Sequence, residues 1–122
     1  MFTDRDILMA SRAEELQRSH TMEQWDYYTN DGCVSLVEET ADWYMQEQHG
    51  WAWLPRLDQL FAILKELPGR HYDGDIDILW TLSDCFEYDD PLPNIYQMML
   101  RAWMKFNHGK DWDDASQQWV SA

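Results

Sequence analysis

From His71 to Pro91 the chain reads HYDGDIDILWTLSDCFEYDDP, with seven carboxylates (Asp73, Asp75, Asp77, Asp84, Glu87, Asp89 and Asp90) and no Lys or Arg. This stretch constrains the fold more than any other. A buried carboxylate must be paired, so seven of them without a local base are expected on a surface or around a metal. The apolar residues between them, Ile76, Leu79, Leu82 and Phe86, must meanwhile reach a core. A helix satisfies both demands, with one face acidic and the other apolar.

The imbalance extends over the whole chain of 122 residues, which carries 23 acids, nine bases and a formal net charge of −14. From Ser19 to Pro55 there are seven acids and no base. A chain of this length is expected to form a single domain, 1–122, and can bury about two-thirds of its unfolded surface without disulfides or metal. Eight Trp and an apolar fraction of 45% set it apart from disordered acidic tails, which lack aromatics. The charge works against direct binding to nucleic acid or to an anionic membrane, since both demand a positive surface. It favours a basic protein partner.

Breakers and caps divide the chain into about five to six short helices, which predicts an all-α bundle. The first is expected over Asp4 to Arg18, with Thr3 as N-cap and Asp4 and Asp6 near the positive helix end. Thr21-Met22-Glu23-Gln24 reads as a capping box opening a second helix that closes before Asp31-Gly32. Ser35-Leu36-Val37-Glu38 opens a third, ending at His49-Gly50, with Val34, Val37, Ala41 and Tyr44 inward. The fourth begins near Pro55, stops before Pro68-Gly69 and carries a stripe of Leu57, Leu60, Phe61 and Leu64. The fifth covers Asp75 to Tyr88, with Ile76, Leu79, Leu82 and Phe86 inward. The sixth runs from Pro93 or Asn94 to Asn107, with Gly109 beyond. Its stripe of Ile95, Met98, Met99, Ala102, Trp103 and Phe106 is broad enough for a central helix. A short tail helix is expected near Asp113 to Trp119. The only alternation of strand type is Gly74-Asp-Ile-Asp-Ile-Leu, and it is brief.

On the third helix Glu38, Glu39 and Asp42 fall opposite the apolar stripe at spacings of three and four. Like charges at that spacing repel by a few tenths of a kcal/mol, roughly, per pair. Asp73, Asp77, Asp84 and Glu87 repeat the pattern on the fifth. Together with Asp75, Asp89 and Asp90 these acids are the expected partner-binding face, and Trp51 and Trp53 of Trp51-Ala-Trp53 are expected aromatic anchors.

No catalytic residue, metal ligand or cofactor is expected. Asp73-Gly-Asp-Ile-Asp begins like a calcium loop, but position six is Ile78 rather than Gly and position twelve is Asp84 rather than Glu. Cys33 and Cys85 form no CxxC, and the acidic surroundings of Cys33 favour a structural thiol over a nucleophile. His49 and His108 precede glycines at expected helix C-termini, and His20 and His71 fall in expected loops. No phosphate loop, HExxH or nucleophile elbow occurs. MFTDRDILMASR does not read as a signal peptide or a membrane helix, so a cytoplasmic protein with reduced thiols is expected.

Three functions follow as expectations. In size and charge the chain resembles the small acidic inhibitors of phages and mobile elements that act on restriction, CRISPR or recombination machinery. That resemblance implies a DNA-mimic-like protein occupying the basic site of a nucleic-acid-binding protein or complex. The aromatics alternatively imply a helical adaptor or assembly protein. Glu39-Thr-Ala-Asp42 and Glu87-Tyr-Asp-Asp90 fit E-x-x-D, which resembles the magnesium-binding pattern of all-α NTP pyrophosphohydrolases. The close succession of acidic motifs typical of that family is missing, and Asp90 precedes Pro91.

Overall fold

The computed structural model describes residues 2–30, 32–38, 51–67, 69, 71–89 and 92–122. The protein is mixed α and β rather than all-α: the described residues contain five helices and two antiparallel sheets, one of three strands and one of two. The chain divides into two compact units, Met1–Arg56 and Leu57–Ala122.

The first unit opens with α1 (Asp4–Arg12), capped as its sequence predicts. Thr3 Oγ1 accepts from the Asp6 N–H at 3.1 Å and the Thr3 N–H donates to the Asp6 carboxylate at 3.0 Å. The expected single helix to Arg18 is broken at Ala13 (φ −80°, ψ 82°), and a separate short helix, α2 (Glu14–Arg18), follows. Alanine gives no local signal for a break. The break is instead held by Gln17, whose amide donates to the Ala10 carbonyl at the end of α1, at 2.9 Å.

The expected second helix is absent. Thr21 to Asp26 form a turn segment in which the Asp26 carboxylate, not a capping box, accepts from the Glu23 N–H at 2.8 Å. Asp26 is buried and also meets His20 Nε2 at 2.6 Å and Arg56 Nη1 at 3.7 Å. Tyr27-Tyr-Thr-Asn then forms β1 (Tyr27–Asn30), and the start of the expected third helix forms β2 (Cys33–Leu36) instead. Aromatic and β-branched residues favour this, as does the two-residue link Asp31-Gly32 between the paired Asn30 and Cys33. Gly32 takes φ +84°, which only glycine adopts without strain. The remainder of the expected third helix, beyond Glu38, lies outside the described residues.

β3 (Ala52–Leu54) pairs antiparallel with β1, so the sheet order is β2-β1-β3. Its outer edge is closed by a side chain. The Trp53 N–H donates to Gln17 Oε1 at 2.6 Å and the Trp53 carbonyl accepts from Gln17 Nε2 at 2.9 Å. One amide group thus replaces a fourth strand.

In the second unit, α3 (Leu57–Lys65) and α4 (Asp75–Phe86) pack against α5 (Ile95–His108). α5 is the central helix, with Tyr96, Gln97, Met99, Leu100, Ala102, Trp103 and Met104 all buried. Asn94 caps it through the Gln97 N–H at 2.8 Å, and Gly109 ends it in the left-handed region. The expected tail helix is replaced by the hairpin β4 (Lys110–Asp113) and β5 (Gln118–Ser121). A cross-strand Trp112–Trp119 pair stabilises this hairpin edge to face, at 5.4 Å between centroids. Asp113 fixes its turn by accepting from the Ser116 hydroxyl at 2.7 Å.

Gln17→Ala leaves both backbone groups of Trp53 without their partner. It is expected to destabilise the chain by about 1–3 kcal/mol, measured as a lower urea midpoint with an unchanged slope.

Candidate protein-binding site

The acidic stretch behaves as its composition requires, but the apolar residues between the acids do not all turn inward. α4 buries Ile78, Leu82 and Phe86. Ile76, an expected core residue, is 71% exposed, and Trp80 is exposed to the same degree. Two helical stripes were available to this sequence, and the one spaced at 78, 82 and 86 is the one buried. Choosing it turns Ile76, Trp80, Asp84 and Glu87 outward within an arc of about 80°. Residues four apart on that arc lie about 5–6 Å from one another.

The acids of this unit fall into two groups. Asp75 pairs with Lys65 at 2.6 Å, and Asp77 accepts from the Asp73 N–H at 2.8 Å ahead of the helix. Asp89 and Asp111 share Arg101, which donates from Nη1 to Asp89 at 2.5 Å and in a two-point fork to Asp111 at 2.7 and 2.9 Å. The guanidinium also lies 4.5 Å from the Phe86 ring centroid. These carboxylates are committed within the fold. The side chains of Asp73, Asp84 and Glu87 are exposed, and Trp80 and Ile76 lie on the face that carries Asp84 and Glu87.

Burial opposes the charge on both partners of the Arg101–Asp111 pair, but their hydrogen bonds outweigh it. The Arg101 pKa is raised by Asp111 and Asp89, and the Asp111 pKa is lowered by Arg101 and the Trp112 N–H. Asp113 is also lowered, chiefly by the Ser116 hydrogen bond.

The other expected site residues are dispersed. Glu38 is exposed and belongs to the first unit; Glu39, Asp42 and Asp90 lie outside the described residues. Trp53 is 2% exposed, with His20 stacked on it at 3.7 Å, and its burial removes it as a surface anchor. Trp51 is half-buried and stacks on Tyr28 at 4.5 Å. Among the described tryptophans, those that stand out are Trp25, in the first unit, and Trp80.

His20 and Asp26 have the contact of an acid–base pair, but no described Ser, Thr or Cys hydrogen-bonds His20, and the ring packs on Trp53 as part of the core. Among the described residues, no three His, Cys, Asp or Glu side chains converge as metal ligands. A cavity of about 450 Å³ lies in the first unit, lined by Asp4, Ile7, Leu8, Ser11, Thr29, Gly32 and Ala52; Asp4 is the one ionisable side chain among these described residues. No described helix is long and apolar enough to cross a membrane.

Ionised Asp111 stabilises the fold above its unfolded pKa near 3.8, and that contribution is lost as pH falls through its lower folded value. Asp111→Asn is expected to cost on the order of 2 kcal/mol at neutral pH. The gap from the parent should close below pH 3.8 in urea unfolding at stepped pH. Comparison with protein families, curated proteins and solved structures finds no match to this chain.

Proposed function

We propose that the chain is a small non-catalytic binding protein that docks on a basic protein through the outward face of α4 and competes with nucleic acid for that surface. The observation that carries this reading is the exposure of Trp80 beside Ile76 on the helix face that bears Asp84 and Glu87. An aromatic anchor with a charged surround has the composition of an interface: a large side chain to bury and charges to steer. The partner's complementary surface is a basic groove with an apolar pocket.

Competition with nucleic acid rests on the charge. A net charge of −14 exceeds what solubility asks of a small domain, which is met at about −2 to −8. Basic protein surfaces commonly hold nucleic acid, through the same Lys and Arg side chains that carboxylates attract. A second reading, an adaptor bound chiefly through aromatics, draws on the same Trp80. Salt and DNA separate the two. In capture from a cell lysate, a competitor's partners elute at moderate salt and are displaced by excess duplex DNA. An adaptor's partners withstand both.

Trp80→Ala is expected to weaken binding to the captured partner by about 2 kcal/mol, roughly thirtyfold. The double change Asp84→Lys, Glu87→Lys should slow association and flatten its salt dependence. Surface plasmon resonance over a salt series checks both. Unaltered binding by both variants would remove α4 from the interface.

A further inference from the structure

The three-stranded sheet has two edges, and the chain treats them differently. The β3 edge is closed by Gln17, whose amide takes both the N–H and the carbonyl of Trp53. No described residue pairs with the outer edge of β2.

The direction of the β2 backbone groups follows from the register. Trp53 points its groups away from β1, so its partner Tyr28 turns its own toward β2, where they face Ser35. Val34 and Leu36 therefore turn their N–H and carbonyl groups outward. All four β2 residues are exposed, Val34 and Leu36 to 39% each. Their side chains share one sheet face with their cross-strand partners Thr29 and Tyr27.

Natural edge strands are guarded by short length, by Lys or other charges, by Pro, by a bulge or by a covering element, and of these β2 has the short length, at four residues. Cys33-Val-Ser-Leu36 contains no charge and no Pro. An edge without these charges, which no described residue pairs, is a template for strand addition. A second copy would bring another net charge of −14 to the same edge, whereas a cationic segment is drawn to it.

We propose that β2 accepts an extended cationic segment of a partner protein as a fourth strand, with main-chain hydrogen bonds to Val34 and Leu36. This goes beyond the α4 reading and does not depend on it.

The test uses the full chain, isotopically labelled, and a capped ten-residue peptide of alternating Lys and Val. The amide signals of Val34 and Leu36 are expected to shift, and their hydrogen exchange to slow. Cys33 and Ser35 already face β1 and should change less. Val34→Pro removes an outward N–H that β1 does not use, so the ladder survives. It is expected to weaken peptide binding about fivefold, the equivalent of one hydrogen bond. Leu36→Lys should weaken it as well, without any proline effect on the backbone. Trp80→Ala should leave peptide binding unchanged, so this proposal and the α4 reading fail separately. Shifts confined to the acids of α4, with Val34 and Leu36 unmoved, would overturn the proposal. So would sedimentation of the peptide-free chain as a dimer that Val34→Pro dissociates, because the edge would then serve a second copy.

Discussion

Cation scarcity shapes this molecule. Nine bases face 23 acids, so each Lys or Arg placed in an ion pair decides which carboxylates the fold absorbs and which it displays. Arg101 absorbs two, Asp89 and Asp111, and ties α5 both to β4 and to the segment following α4. Lys65 takes Asp75 and Arg56 approaches the buried Asp26. Arginine suits the two-acid site because its planar fork can serve both carboxylates at once. Asp84 and Glu87, left exposed on α4, give the proposed interface its sign.

The same economy governs polar groups in the first unit. The Gln17 amide accepts from one backbone N–H and donates to two carbonyls, those of Ala10 and Trp53. It closes a helix end and a sheet edge together, and in doing so fixes the break at Ala13. Among the described residues the β2 edge has no equivalent. The two proposals accordingly use different parts of an acidic chain: side-chain anchoring on α4, and main-chain pairing at a sheet edge that no described residue pairs.

Much of the helical structure was legible locally. Thr3 with Asp6, Asn94 before Ile95 and Gly109 after His108 are caps, and a cap is a contact within a few residues. Helices beginning near Leu57, Asp75 and Ile95 were expected close to where they form. The strands were misread because their signals also serve helices. Asp31-Gly32 can stop a helix or join a hairpin, and Thr21-Met-Glu-Gln can cap a helix or only resemble a cap. Trp112 and Trp119 become a hairpin pair through cross-strand contact, which periodicity along one segment does not register.

The site divides in the same way. Composition and spacing alone determined that the chain is acidic, that His71 to Pro91 must display charge, and that α4 is amphipathic, because these depend on residue types and on a fixed 3.6-residue period. Tertiary structure decided which of two regular stripes of α4 is buried, and so placed Trp80 and Ile76 outside. It also decided that Trp53 is core, that Asp75 and Asp89 are paired, and that no described residue pairs the outer edge of β2. Each of these depends on which distant residue arrives alongside: Lys65 at Asp75, Arg101 at Asp89, Gln17 at Trp53. Local pattern does not encode the partner supplied by another part of the chain.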